Sequence, residues 1–215
     1  MVQAGFSLES VQTALQPEYL RALGLSVELA LVSTVICLAL AYPLCLILKE
    51  RRQGKGVLIF LLFLLPLWMN SLLTTMAWQT YLERHGIINM LLQAMGLPAL
   101  ELINTPIAIV IGMVYNFLPY MVLPLYVAIT RIDHSIVEAG LGSGGQSLAD
   151  LSSCYAAIVT AGNRQWLYDG IHPALTTFVI SALLGGNRVL LVGNIIEQEF
   201  TAAYDWQLGS ALSMV

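Results

Sequence analysis

Polar side chains gather at two places inside otherwise apolar runs. Trp68, Asn70, Ser71, Thr74, Thr75 and Trp78 fall within about three helical turns, and Tyr115, Asn116 and Tyr120 do the same further along. Groups of this kind read either as hydrogen-bonding glue between helices or as the lining of a polar path. A tryptophan near the end of a span has a third use, as an interface anchor. Neither cluster pairs a nucleophile with a base. His85, His134 and His172 lie far apart and have no metal-ligand spacing. No G-x-S-x-G, H-E-x-x-H or G-x-x-x-x-G-K pattern occurs. Cys37, Cys45 and Cys154 make no CxxC pair and read as small apolar fillers. No catalytic residue, metal site or cofactor is therefore expected. Glu28 stands at the edge of an apolar run, and no carboxylate lies deep inside one, so a proton-coupled carrier lacks its usual relay. The richest polar stretch is Asn187, Arg188, Glu197, Glu199 and Asp205 around apolar residues 189–192. It reads as a solvated loop, or as a surface for a periplasmic partner or a cationic solute, whose local concentration carboxylates raise.

The elements that must hold these residues are membrane spans. Of 215 residues, 58% are hydrophobic and 10% charged, and the mean hydropathy is +0.77. A chain of this size has too little interior to hide that much apolar surface from water. A soluble enzyme, a disordered chain and a nucleic-acid binder are excluded. The net charge of −4 and basic residues that form no stripe imply no polyanion partner, nucleic acid included. Residues 29–48, 56–82 and 102–130 carry no charge and are each long enough to cross a bilayer. Each is expected to be helical, because lipid offers backbone groups no other partner. Pro43, Pro66, Pro119 and Pro124 are expected to bend these spans, either as packing geometry or as breaks around a path. Residues 171–187 form a weaker span candidate, obstructed by Arg164 and Asp169 when extended backward, and 206–215 read as the opening of another.

Basic residues set the orientation. Lys49, Arg51, Arg52 and Lys55 follow the first span and Arg131 follows the third, so both places face the cytoplasm. Residues 83–101, 188–205 and the N-terminal segment then face outward. That segment has no basic head or apolar run, so it is not a signal peptide, and a span would ordinarily precede it. No nucleotide site is present, so active transport would draw its energy from another subunit. An intramembrane enzyme would need a catalytic pair that is missing, and a plain membrane anchor is separated from a transporter by solute uptake.

Residues 6–23 read FSLESVQTALQPEYLRAL, 64–78 LLPLWMNSLLTTMAW, 85–90 HGIINM and 114–126 VYNFLPYMVLPLY. Residues 41–44 read AYPL, 132–139 IDHSIVEA, 184–200 LGGNRVLLVGNIIEQEF and 205–211 DWQLGSA. Together they resemble the inner-membrane permease subunits of bacterial ABC importers, and the last two resemble the spermidine/putrescine branch in particular. The resemblance implies an all-α polytopic membrane protein with the type I, MetI-like permease bundle, here incomplete. It implies a second permease subunit, ABC ATPase subunits at the cytoplasmic face and a periplasmic solute-binding protein that delivers the polyamine. Transport by alternating access would follow, driven mechanically by the ATPase. By the same resemblance, Glu138, Ala139 and Gly142 belong to the loop that couples to the ATPase. Trp68, Asn70, Thr74, Tyr115 and Asn116 would line the path, and Glu197 and Asp205 would attract solute at its outer mouth. An iron-, thiamine- or sulfate-type solute is the alternative, and a non-functional permease fragment is another.

The chain also departs from that family. The family has six spans, of which the first and most of the last are missing here. Its coupling motif runs E-A-A, three residues, G, and later I-x-L-P. Glu138 and Ala139 match, but the Gly- and Ser-rich stretch 140–172 does not. Allowed codons for this stretch, read one base later, spell a string containing the family's D-L-G-A, L-P and P-G-I, which leads into Pro173. The stretch is therefore expected to be translated out of frame, with poor insertion of the following span and a largely inactive subunit. The expected organisation is a periplasmic or interfacial segment (1–28), a transmembrane permease core (29–139), an aberrant coupling region (140–171), and a damaged span, periplasmic loop and truncated last span (172–215).

Overall fold

The protein is described by a computed structural model that places residue 13 and residues 16–50, 55–130 and 177–214. Among the described residues every regular element is helical, as backbone polar groups in lipid require. In chain order they are α1 (Pro17–Glu50), α2 (Lys55–Leu64) with a 3₁₀ turn (Leu65–Trp68), α3 (Ser71–Leu82), α4 (Ile87–Ala94), α5 (Pro106–Thr130), α6 (Val179–Leu184) with a second 3₁₀ turn (Gly186–Arg188), α7 (Val192–Thr201) and α8 (Trp206–Met214).

Among the described residues two helices, Pro17–Leu48 within α1 and α5, are long and apolar enough to cross a membrane. Both continue as helix past the prolines within them, Pro43 in α1 and Pro119 and Pro124 in α5. The run 56–82 differs. Its helix tightens to 3₁₀ at Leu65–Trp68, Met69 goes extended (φ −83°, ψ 147°), and a new helix begins at Ser71. Two residues decide this: Pro66 has no N–H to continue the ladder, and Asn70 supplies the cap for a fresh start. α3, with 12 residues, is about 18 Å long and cannot cross a core of about 30 Å alone. Leu58–Trp68 and Ser71–Ala94 make a third crossing only as a broken pair.

The side-chain pattern of α1 is that of a helix in lipid. Its buried stripe is mostly small (Ala22, Ser26, Ala30, Ser33, Thr34, Cys37, Ala41 and Cys45), with Leu29 and Leu48 the large members, while Leu31, Val35, Leu40 and Ile47 stand outside. Small residues let neighbouring backbones approach where lipid removes the hydrophobic drive between helices.

The residues divide into two compact units, each with its own packing. The first takes its described residues from Met1–Ser33, Asn70–Val114 and Pro173–Val215. In it α6 lies on α3, α4 on α3, and α7 on α6 and α8. Gly112 of α5 allows a close approach: a Cβ there would collide with Leu184 Cδ1 and come within 2.9 Å of Ile180 Cγ2 of α6. The second unit takes its described residues from Thr34–Met69 and Tyr115–His172. Phe60 of α2 stacks on Tyr126 of α5 with centroids 4.5 Å apart, and Cys45 Sγ donates to the Val122 carbonyl at 3.6 Å.

Candidate functional site

The break in the second apolar run positions the first polar cluster. Asn70 caps α3: its Oδ1 accepts the Leu72 N–H at 2.9 Å. Thr74 Oγ1 donates back to the Asn70 carbonyl at 3.1 Å, and Thr75 Oγ1 donates to the Ser71 carbonyl at 2.7 Å. Thr74 and Thr75 are buried, and the carbonyls at the start of the restarted helix satisfy their hydroxyls. Trp68, one residue before the extended Met69, is 90% exposed. Trp78 sits edge-on to Tyr81 with centroids 6.0 Å apart. Tyr115 and Asn116 are half-buried on α5, and Tyr120 is exposed.

The polar stretch after the second 3₁₀ turn is helical, not a loop. Most of it is α7, and its carboxylates have definite neighbours. Thr201 Oγ1 donates to the Glu197 carbonyl at 2.7 Å and to Glu197 Oε1 at 3.2 Å. Asp205 Oδ1 accepts the N–H groups of Gln207 (3.1 Å) and Leu208 (3.0 Å), so Asp205 is the N-cap of α8. A carboxylate there also complements the positive end of the helix. Aromatic rings surround this corner. Phe200 meets Trp206 edge to face at 5.6 Å and lies over Gly209, while Tyr19, Ile195 and Ile196 pack against Leu208, Ala211 and Leu212.

Of the residues expected to act together, Asn70 and Thr74 are joined by a hydrogen bond, and Glu197 and Asp205 lie on the adjoining helices α7 and α8. These four belong to the first unit, whereas Trp68, Tyr115 and Asn116 belong to the second. Glu138, Ala139 and Gly142, His134, His172 and Cys154, and the proposed frame-shifted stretch 140–171 all lie outside the described residues.

A second set of buried polar residues went unread in the sequence. Ser26 is fully buried in α1. Its hydroxyl donates to the Ala22 carbonyl at 2.7 Å and accepts the Val192 N–H of α7 at 2.8 Å. Ser181 of α6 bonds Asn194 of α7 and also donates to the Phe178 carbonyl at 3.1 Å. These bonds fix the start of α7 against α1 and α6, and thereby place Glu197. A serine within a small-residue stripe carries no mark that separates a strut from a filler, which is why spacing alone does not reveal Ser26.

Helices in this order and arrangement match one chain of a bacterial ABC transporter involved in the import of the acidic polysaccharide alginate. The TM-score is 0.73 at 15% identity, covering 99% of this chain and 79% of that one. The likeness is one of fold, to a chain of an ABC transporter. The chain is 32% identical over 210 residues to the spermidine/putrescine transport system permease protein PotB of Haemophilus influenzae, covering 97% of this chain and 73% of that protein. It is 32% identical over 215 residues to PotB of Escherichia coli, covering 99% and 78%. The chain belongs to the PotB family of ABC transporter permeases, multi-pass proteins of the bacterial inner membrane. A more remote relative is the inner membrane ABC transporter permease protein YdcU of Escherichia coli, 21% identical over 210 residues, covering 91% of this chain and 66% of that protein. No protein-family model matches the chain.

Proposed function

We propose that the chain is the pore-forming permease subunit of an ATP-driven importer of polyamines, spermidine or putrescine. A separate ATPase hydrolyses ATP at the cytoplasmic face, a second permease completes the path, and a periplasmic protein delivers the solute. The observation that carries this reading is identity of 32% to two PotB proteins along nearly the whole chain. The site chemistry supports it. A polyamine is a chain of methylenes between ammonium groups, and the α7–α8 corner offers carboxylates beside Phe200 and Trp206, suited to charge pairing and cation–π contact.

In this reading Trp68, Asn70, Thr74, Tyr115 and Asn116 line the path, and Glu197 and Asp205 raise the local concentration of cation at the outer mouth. Glu138, Ala139 and Gly142 begin the loop that seats in the ATPase. The transmembrane core is 29–139, preceded by the outer segment 1–28. Residues 140–171 are a frame-shifted coupling region, and 172–215 hold a damaged span, the outer loop and the opening of the last span. No covalent step occurs within the chain, because closure of the ATPase moves the helices mechanically.

The test is polyamine uptake in a bacterial strain lacking its own importer, supplied with the ATPase, second permease and binding protein of this system. Two forms of the chain are compared: the one given, and one in which codons 140–171 are read one base later. Spermidine or putrescine uptake by the second form and little by the first is the expected result. Uptake of a different solute overturns the polyamine assignment. Equal uptake by both forms, or a nucleotide sequence around codons 135–175 that does not spell the family motif in the shifted frame, removes the frameshift.

A further inference from the structure

The connection between α3 and α5 has the wrong polarity for a segment standing in water. In α4 the fully buried side chain is Asn89, at 0% exposure, while Ile87, Met90 and Leu91 are 55–63% exposed. Just beyond, Met95, Leu97 and Leu100 are exposed as well. A helix on the surface of a soluble domain does the reverse, turning apolar residues in and polar residues out.

Fraying does not explain the inversion, because the segment is tied at both ends. Asn89 Nδ2 donates to the carbonyls of Glu83 (3.1 Å) and Leu100 (2.9 Å), and Asn89 Oδ1 accepts the Leu100 N–H at 2.9 Å. One amide thus closes the loop and fixes which side of the helix faces inward. The C-terminus is equally determined. Gly96 takes a left-handed conformation (φ +77°), its N–H bonds the Gln93 carbonyl at 3.0 Å, and the Leu97 N–H bonds the Leu92 carbonyl at 2.9 Å. This is a Schellman stop, which only a residue tolerant of positive φ makes without strain.

The rim of the segment is charged. Glu83, Arg84 and His85 precede α4, Glu101 follows it, and Arg84 pairs with Glu101 across the base at 3.8 Å, both side chains more than 70% exposed. α4 therefore stands between a polar edge and an apolar face. It is also joined in sequence to apolar helices on either side, α3 and the span α5.

We propose that α4 is an interfacial helix lying in the outer leaflet of the bilayer. Ile87, Met90, Leu91 and Met95 sit among the upper acyl chains, and Arg84, His85 and Glu101 sit at the headgroups. Amphipathic helices at this boundary settle roughly 5–10 Å into it. A free helix of 8 residues would not hold there. This one is already folded and is tethered by two membrane helices, so little ordering cost remains. The scarcity of basic residues in the segment puts it on the outer side.

The assembled importer in lipid nanodiscs provides the test. Spin labels are placed singly by Met90→Cys, Met95→Cys and Glu101→Cys in a background without Cys37, Cys45 and Cys154. Each label's collisions with oxygen, which concentrates in lipid, are compared with its collisions with a water-soluble nickel chelate. The oxygen-to-nickel ratio is expected to be several-fold higher at positions 90 and 95 than at 101. Equal ratios at all three positions mean a solvated loop and overturn the proposal. Low collision with both reagents at 90 and 95 means burial against a protein partner and overturns it too. A measurement on the unsubstituted importer covers the case in which a labelled form does not assemble. Met90 and Met95 are expected to resist oxidation by aqueous peroxide in nanodiscs, and oxidation at the rate of free methionine overturns the proposal.

Discussion

Ser26 does two jobs with one hydroxyl, and its own side chain is fully buried. Removing it in Ser26→Ala leaves the Val192 N–H of α7 without its acceptor, a loss worth about 1–3 kcal/mol when the group is buried. The expected outcome is a lower unfolding temperature in detergent, with uptake falling because α7 is no longer held. Asp205 lets charge and architecture be separated. Asparagine caps a helix about as well as aspartate, whereas alanine costs about 0.5–2 kcal/mol. Asp205→Asn is expected to keep the stability of the wild type and to slow polyamine uptake most at low ionic strength, where exposed charge acts furthest. Asp205→Ala is expected to lose stability and uptake together. Unfolding curves alongside uptake at two salt concentrations check both variants, and normal uptake by Asp205→Asn removes Asp205 from the solute pathway.

At the scale of elements, the close approach of α5 and α6 at Gly112 is the tightest packing constraint described above. Gly112→Val places branched carbon where Leu184 and Ile180 already stand. Overpacking of this kind costs about 1–3 kcal/mol, and reduced expression and thermal stability are the expected signs. The apolar runs were legible in the sequence because lipid permits little else: twenty-odd residues without charge must be helix. What spacing could not show was where a run stops being one helix. Pro43, Pro119 and Pro124 sit inside continuous helices, whereas Pro66 sits at a break. The difference is Asn70, a capping residue that looks from the sequence like any other polar side chain in a span. The short helices α4 and α7 were hidden for a related reason. Both lie in stretches that read as outward loops by charge, and α4 reverses the soluble pattern on which a helix reading depends.

For the whole molecule, the two units and the family membership make one expectation concrete. The chain carries no motor of its own in this account, so purified protein alone in vesicles is expected to show no ATP-dependent uptake. Adding the partner ATPase, the second permease and the loaded binding protein should restore it when the coupling region is intact. Transport by the isolated chain would overturn the account. The candidate path residues were legible only as a set of polar letters. Their grouping was not, since Asn70 and Thr74 fall in one unit and Trp68, Tyr115 and Asn116 in the other.

The narrow edge of α1 carries a consequence for how such a protein drifts over generations. Ala22, Ser26, Ala30, Ser33, Ala41 and Cys45 are almost wholly enclosed, while Val35 and Ile47 stand largely exposed. The exposed side is free to exchange any oily letter for another, and the narrow side is not. A saturation library of α1 should therefore show tolerance winding around the rod in a spiral, with a forbidden seam one small side chain wide.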